Sequence, residues 1–230
     1  NGVWDLSILG MVPGMRVAAP RDEATLRAEL AEAVAVTDGP TAVRFAKGSV
    51  GPPLPAVDRV MGVDVLSRPV SGAAVLLIGV GPFARLAVDA ASALAQAGVG
   101  ATVVDPRWIL PVPAVLAQLA AAHRLVATVE DSGRHGGFGC ALAALLRDTG
   151  TRTPVLDIGV PRRYLAHGSR PQVLTELGLT AEDVTRRVLE RLADEAVRDT
   201  TLLRKGRRDG FRDVDDYGPA DRHSVRAAGS

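Results

Sequence analysis

Two cationic side chains stand close together at the end of a short apolar segment. Residues 41–45 are rich in β-forming side chains and predict a strand, with Arg44, Lys47 and Gly48 at its carboxyl end. An arginine fork at that place suits a phosphate or a carboxylate, because it can bind two oxygens at once. An ion pair at the surface is the alternative, and these residues alone leave both interpretations open.

A second group of polar residues forms the glycine-rich stretch EDSGRHGGFG at 130–139, directly after a predicted strand. Acids at the carboxyl end of a parallel strand lie where such sheets bind ligands, and glycines allow close backbone approach. His135 could shuttle a proton, but a single loop histidine is more often a polar surface group, which we favour. We expect His123 to interact with the end of a helix.

The stretch GVGPFA at 79–84 follows an apolar strand, and Asp105 ends the next predicted strand. Gly79, Gly81 and Ala84 fit the fingerprint of a dinucleotide-binding turn, in which Asp105 would hold a ribose hydroxyl. A tight strand-to-helix turn in any parallel α/β unit needs the same glycines, so this pattern alone does not decide between the two.

Strands and helices alternate along the chain. We predict strands at 16–19, 41–45, 73–78, 101–105, 125–130 and 155–158, and helices at 22–36, 82–97, 113–122, 139–148, 171–177 and 181–193. On the first helix, Leu26, Leu30, Ala33 and Val34 form one apolar stripe. The alternation predicts an α/β fold with a mostly parallel, doubly wound sheet.

Composition excludes several classes of protein. The 230 residues carry 27 basic and 26 acidic side chains, so bulk charge does not favour binding to nucleic acid or to a membrane surface. The longest apolar runs are too short to span a bilayer, and no signal-peptide pattern is present, so we expect a cytoplasmic protein. A single cysteine, Cys140, can form neither an internal disulfide nor a thiolate metal site.

Five motifs together resemble the C-terminal part of the 1-deoxy-D-xylulose-5-phosphate synthases, thiamine diphosphate enzymes of the transketolase superfamily. They are the stretches NGVWDLS at 1–7, DGP with VRFAKG at 38–48, VDPRWILP at 104–111, EDSGRHGGFG at 130–139 and IGVPRRYLAHGS at 158–169. The resemblance covers about residues 1–192. Pro113 and Arg162 depart from the family pattern in turns, where we expect changed packing only.

The resemblance implies an order of domains. Residues 1–48 would be the second half of a pyrimidine-binding α/β domain, and residues 71–195 a transketolase C-terminal domain with a mostly parallel sheet. Between them, the glycines and prolines of residues 49–70 predict a linker between domains. Residues 196–230 lie beyond the resemblance, and their few apolar side chains predict a disordered tail. The resemblance also argues against a dinucleotide at 79–84, because that turn belongs to a domain that binds no nucleotide in this family.

The resemblance further implies a reaction, in which pyruvate is decarboxylated and condensed with D-glyceraldehyde 3-phosphate, supplying isoprenoid, thiamine or pyridoxal synthesis. Arg44 matches the arginine that holds the phosphate of the aldehyde, and we expect Lys47 to assist. Thiamine diphosphate and Mg²⁺ would serve the complete homodimeric enzyme. They would not bind this chain alone, which lacks the GDG metal motif and the activating glutamate.

We therefore expect the chain by itself to be inactive, and to need an N-terminal thiamine diphosphate-binding portion in the same protein or in a complex. The alternative is a non-catalytic partner or assembly module derived from a split or decayed synthase. Activity after mixing with an N-terminal portion would favour the first, and binding without turnover the second. NAD binding unrelated to this family is a third hypothesis.

Overall fold

The structure, a computed structural model, describes residues 3–48 and 50–209, and the surroundings of side chains up to residue 198. The helices of this part are α1 (Asp5–Leu9), α2 (Glu23–Ala35), α3 (Phe83–Gln96), α4 (Val115–Ala121), α5 (Phe138–Asp148), α6 (Arg170–Glu176) and α7 (Ala181–Asp209). The strands are β1 (Arg16–Ala18), β2 (Thr41–Val43), β3 (Asp58–Val60), β4 (Val63–Ser67), β5 (Ala73–Gly79), β6 (Gly100–Asp105), β7 (Trp108–Leu110), β8 (Leu125–Gly133) and β9 (Val155–Val160).

The larger sheet has six strands in the order β3-β4-β6-β5-β8-β9. The pairs β5·β6, β5·β8 and β8·β9 are parallel, whereas β4 pairs antiparallel with both β3 and β6. Strand β5 is central and its side chains alternate between two apolar clusters: Val75 and Leu77 pack with α3, and Leu76 and Ile78 with α4 and α5. Burial on both faces explains why this strand is almost wholly apolar. The predicted α/β architecture is confirmed.

A smaller sheet of three strands has the order β2-β1-β7. Strand β1 pairs in parallel with β2 and antiparallel with β7, and its Val17 is fully buried. Because β7 follows β6 of the larger sheet in the chain, the two sheets are joined by a connection of only two residues. Strands β1 and β2 are thereby tied to the body of the larger sheet.

Helix α2 begins where the sequence predicts, but it buries a different face. Asp22 caps it by accepting a hydrogen bond from the Thr25 N–H at 2.9 Å. The predicted apolar stripe is wrong, because Leu30 and Val34 are 51% and 78% exposed. The buried residues are Thr25, Glu29 and Ala33. Among them, the Glu29 carboxyl group lies 3.5 Å from Arg107 Nε and is described below.

The predicted linker at 49–70 contains regular structure that the sequence analysis missed. Residues 58–67 form β3 and β4, with the turn between them at Met61 and Gly62, which have φ of 47° and 89°. Val63, Val65 and Leu66 are buried, because β4 pairs with β6 and so lies beside the parallel strands within the same sheet. The numerous glycines and prolines of this segment concealed the hairpin from an interpretation based on sequence pattern.

The C-terminal helix is longer than predicted. Thr180 and Asp183 cap its start, with the Asp183 N–H donating to Thr180 Oγ1 at 3.2 Å. It continues to Asp209, into the segment that the sequence predicts to be a disordered tail from residue 196; residues 210–230 lie outside the described part. Alanine, arginine and glutamate favour a helix even where few apolar residues are available for a core.

Contacts divide the chain into two compact units, Asn1–Leu192 and Ala193–Ser230. No helix within the described residues combines the length and the apolar character needed to cross a membrane.

Candidate functional site

Arg44 lies just beyond β2, and its guanidinium is held between two carboxylates. Its backbone N–H donates to the Ala18 carbonyl at 2.8 Å, which continues the pairing of β2 with β1. Its Nε donates to Asp5 Oδ2 at 2.9 Å, and its Nη1 to Asp131 Oδ1 at 2.6 Å. The side chain of Arg44 is only 13% exposed. Two of its three nitrogens are therefore engaged by the protein itself.

Asp131 extends this arrangement to a second arginine. Its other oxygen accepts from Arg170 Nη2 at 2.8 Å, and the Arg170 guanidinium carbon lies 5.7 Å from the centre of the Phe83 ring. Burial works to raise the pKa of the Asp131 carboxyl, but Arg44 and Arg170 outweigh it and the pKa is lowered. We call Asp5, Arg44, Asp131 and Arg170 the Arg44 cluster. It connects α1, β2, β8 and α6.

Lys47 is placed quite differently from Arg44. It follows three residues later, its side chain is exposed, and within the described part of the chain it makes no ion pair. Gly48, the next residue, has a φ of 138°, a conformation that favours glycine. The two predicted phosphate-binding residues are thus close in sequence, but one is engaged by carboxylates and the other is open to solvent.

The glycine-rich stretch after β8 is built around Glu130. This fully buried carboxylate accepts hydrogen bonds from the N–H groups of Phe138 and Gly139, both at 2.8 Å, and from the Ser132 hydroxyl. It therefore binds the N-terminus of α5, where unpaired N–H groups attract negative charge. Burial exceeds the effect of these bonds and raises its pKa to about 7.

Two glycines of this stretch are required by space. A Cβ on Gly137 would lie 2.5 Å from the Gly133 carbonyl oxygen and 2.7 Å from Glu130 Oε2. A Cβ on Gly139 would lie 2.5 Å from Thr128 Oγ1. These glycines allow a helix to begin directly against two strands, which supports a structural role for this part of the loop.

The turn at 79–84 does not have the surroundings of a dinucleotide site. A Cβ on Gly79 would lie 2.5 Å from the Ala84 Cα, and one on Gly81 would lie 3.4 Å from the carbonyl oxygens of Ala19 and Pro20. The glycines thus let the turn pack against α3 and against the segment after β1. Asp105 is fully buried and accepts from Arg21 Nη1 at 2.8 Å and from the Arg107 N–H at 2.9 Å. It is not available to a ribose.

Asp105 belongs to a buried charge network between the first 43 residues and the larger sheet. Arg21 Nη1 also donates to Asp64 Oδ2 at 2.7 Å. Arg107, at a φ of 58°, donates to Glu32 Oε1 at 2.5 Å, while its Nε lies 3.5 Å from Glu29 Oε1 without hydrogen-bond geometry. Glu29 is fully buried, and burial raises its pKa to about 8.

His123 and His135, the two histidines considered from the sequence, have unlike surroundings. His123 Nδ1 lies 2.7 Å from the Leu119 carbonyl oxygen in the last turn of α4, and its Nε2 lies 3.1 Å from Thr102 Oγ1. This confirms the predicted interaction with a helix end. His135 is exposed and lies at the edge of a cavity beside α1. Its backbone carbonyl accepts from Ser7 Oγ at 2.8 Å.

Sequence pattern alone did not bring together the residues that line this cavity. Trp4 lies edge-to-face with Tyr164, and Arg162 and Arg163 border the same space. The motif that contains residues 162–164 was noted, but nothing in the spacing of these positions indicates that they lie opposite α1. The described residues hold no group of three His, Cys, Asp or Glu side chains placed to bind a metal ion.

Two family models match successive regions of the chain. The model for the transketolase C-terminal domain matches residues 64–184, and that for the transketolase pyrimidine-binding domain matches residues 1–53. Among solved structures, a chain described as a split-gene transketolase, inactive β4 tetramer, aligns with a TM-score of 0.69 at 27% identity, covering 83% of this chain and 61% of that one. A transketolase variant from Pichia stipitis shares the fold, with a TM-score of 0.64 at 19% identity over 83% of this chain and 27% of its own.

Curated relatives are more similar in sequence. A 1-deoxy-D-xylulose-5-phosphate synthase from Saccharopolyspora erythraea is 58% identical over 195 residues, which are 84% of this chain and 30% of the relative. The enzyme of that name from Mycobacteroides abscessus is 58% identical over 190 residues, 82% of this chain and 30% of the relative. The chain thus spans about 30% of the length of these relatives. From these matches and from its fold, the chain belongs to the transketolase family, with residues 1–53 matching its pyrimidine-binding domain and residues 64–184 its C-terminal domain.

Proposed function

We propose that this chain is the C-terminal part of a 1-deoxy-D-xylulose-5-phosphate synthase. The reaction would condense pyruvate with D-glyceraldehyde 3-phosphate, releasing carbon dioxide. The observation that carries this proposal is the 58% identity to synthases of that name over 195 residues. The complete enzyme would be a homodimer in the cytoplasm, as the resemblance implies.

In this proposal, thiamine diphosphate and Mg²⁺ would serve the complete enzyme. Mg²⁺ takes oxygen ligands, and among the described residues no group of three His, Cys, Asp or Glu side chains is placed to hold a metal ion. The proposal therefore assigns the cofactor to residues that precede the matched region in the relatives. What this chain would contribute is a body that supports that site and a cation for the acceptor substrate.

For that contribution, Lys47 and Arg44 are proposed with unequal roles. Asp5 and Asp131 hold Nε and Nη1 of Arg44 at 2.9 and 2.6 Å, so a phosphate would be left with Nη2 unless it displaced one of these carboxylates. Lys47 is exposed and three residues further along. Lysine binds phosphate as a point charge without displacing anything at this position. We therefore assign the direct phosphate contact to Lys47.

Arg44 would then act as a positioning residue for that contact. Its ion pairs to α1 and β8 and its backbone bond to Ala18 fix the end of β2 from three sides. Residues 45–48 continue from this fixed point, so the reach of Lys47 depends on it. The lowered pKa of Asp131 keeps its carboxylate charged, which maintains the pair with Arg44 at neutral pH.

A chimaeric enzyme tests the proposed reaction. Residues 1–192 of this chain would replace the matching region of the Saccharopolyspora erythraea synthase, and product formation from pyruvate and D-glyceraldehyde 3-phosphate would be measured. We expect turnover within about tenfold of the parent synthase, because core positions tolerate substitution when volume and pattern are kept. A folded chimaera that binds cofactor but does not turn over both substrates would contradict the proposal.

A non-catalytic assembly module is the second candidate. It is favoured by the solved structure described as an inactive β4 tetramer of a split-gene transketolase, which aligns with 83% of this chain. The two candidates differ when the chain is mixed with the N-terminal 70% of the Saccharopolyspora erythraea synthase. Turnover above that of either component favours the synthase, whereas a stable complex without turnover favours the module.

A further inference from the structure

A cavity of about 630 Å³ opens beside α1, and neither Lys47 nor any member of the Arg44 cluster lines it. Its walls come from the start of the chain, from the loop after β8 and from the loop after β9. The lining residues are Trp4, Ser7, Ile8, Gly133, His135, Arg162, Arg163 and Tyr164. A volume of this size is typical of sites for small organic ligands.

The walls of the cavity are fixed to one another by hydrogen bonds. The Gly133 N–H donates to the Val3 carbonyl at 2.7 Å, and Ser7 Oγ donates to the His135 carbonyl at 2.8 Å. The Arg134 N–H donates to the Val160 carbonyl at 2.9 Å, which ties the third wall to the second. A preformed cavity of this kind binds a ligand without a large cost of ordering.

Charge at the cavity is positive. Arg162 and Arg163 are adjacent and exposed, and no lining residue is acidic. The nearest acids on α1 and β8, Asp5 and Asp131, are already paired with arginines of the Arg44 cluster. Glu176 lies 3.7 Å from Arg163, but both side chains are more than half exposed and such a pair is weak. The cavity therefore favours an anion.

Two aromatic side chains line the cavity beside these arginines. Trp4 and Tyr164 lie edge-to-face, with ring centres 6.3 Å apart and planes at 87°. Trp4 is 53% exposed and Tyr164 is 92% exposed, although large aromatic side chains usually gain stability by burial. Perpendicular rings leave at least one face free, and Ile8, 65% exposed, adds an apolar surface beside them.

We propose that this cavity binds a small anion that carries an aromatic or other planar ring. The ring would stack against Trp4 or Tyr164, and Arg162 and Arg163 would bind the phosphate or carboxylate group. This site is separate from the acceptor contact assigned to Lys47, and its occupation does not depend on the proposed reaction.

Calorimetric titration of the 230-residue chain tests the proposal with three probes. Phenyl phosphate carries both ring and charge, inorganic phosphate carries the charge alone, and phenol carries the ring alone. We expect phenyl phosphate to bind at least tenfold more tightly than either of the others. The Arg162→Gln/Arg163→Gln variant should weaken its binding at least tenfold, and Arg147→Gln, at an exposed arginine on α5, should leave it unchanged.

Fluorescence gives a second measurement on the same site. The chain has two tryptophans, so the Trp108→Phe variant leaves Trp4 as the only indole, and phenyl phosphate should quench it in a saturable manner. Equal affinity for phosphate and phenyl phosphate would overturn the proposal, as would binding that survives the double substitution. Absence of binding by all three probes to the folded chain would also overturn it. Arg147, Arg162 and Arg163 are exposed, so we expect the double-arginine variant and the Arg147→Gln variant to fold.

Discussion

Arg44 Nη1 lies 2.6 Å from Asp131 Oδ1, which joins the end of β2 to the end of β8. These residues are 87 positions apart and belong to different sheets. The pair is almost dry, with the two side chains 13% and 10% exposed. This ion pair makes Arg44 part of the contact between the two sheets. Lys47, three residues later, has an exposed side chain and so remains accessible to a ligand.

Loss of Arg44 should destabilise the chain. In Arg44→Ala, Asp131 keeps only the more exposed Arg170 and Asp5 loses its partner, so we expect a loss of about 3 kcal/mol in the free energy of unfolding. Arg147→Ala is the matched control, because Arg147 pairs with Asp148 where both side chains are at least 70% exposed, and it should cost less than about 1 kcal/mol. Urea denaturation measures both. Equal effects in the two variants would show that the buried pair is not stabilising.

Glu29 should make stability depend on pH. Burial raises its pKa from 4.5 to about 8, so the folded state favours the protonated carboxyl. Its contribution to stability is complete below about pH 4.5 and is lost as the pH rises through about 8. Asp105 and Glu130, with pKa values raised to about 6 and about 7, act in the same direction, so the Glu29 effect is read as a difference between parent and variant.

The Glu29→Gln variant isolates this effect. It should match the parent near pH 5 and be the more stable of the two near pH 9, because glutamine does not ionise. Free energies of unfolding at several pH values between these limits test the prediction. Parallel pH profiles for parent and variant would mean that Glu29 does not titrate differently in the folded and unfolded states.

Gly139 should not tolerate alanine, for steric and not conformational reasons. Its added Cβ would meet Thr128 Oγ1 at 2.5 Å and Asp157 Oδ1 at 2.7 Å, inside the packing of α5 against β8 and β9. We expect Gly139→Ala to cost about 2 kcal/mol or more, as overpacking does. Gly51→Ala is the control, since nothing lies within 4 Å of its Cβ position. A melting temperature for Gly139→Ala equal to that of the control would contradict the stated packing.

Much of the fold follows from the sequence, because the central strands are apolar on both faces and helices begin at recognisable caps. The hairpin β3–β4 does not, since its turn is formed by Met61 at a positive φ and its pairing with β6 is non-local. The spacing of apolar residues also did not predict which face of α2 is buried. Glu29 is buried facing Arg107 of a distant segment, so an acid occupies the inner face while Leu30 stays outside.

The candidate site was only partly predictable for the same reason. The residues alone leave a phosphate ligand and an ion pair both open for Arg44, and its phosphate role follows only from the resemblance. The competing carboxylates, Asp5 and Asp131, are 39 and 87 positions away, and their approach is a consequence of the tertiary fold. Trp4 and Tyr164 meet across 160 positions, which no local pattern indicates.

The most direct test of the account is whether Lys47 recognises the phosphate of the acceptor. In the chimaeric enzyme, kcat/KM is measured for Lys47→Ala and its parent with D-glyceraldehyde 3-phosphate and with D-glyceraldehyde, which lacks the phosphate. An ionic contact of about 1.5–3 kcal/mol predicts a loss of about tenfold to a hundredfold with the first acceptor, and less than about twofold with the second. The KM for pyruvate should not change. Equal losses with both acceptors, or none with either, would contradict the assignment of this contact to Lys47.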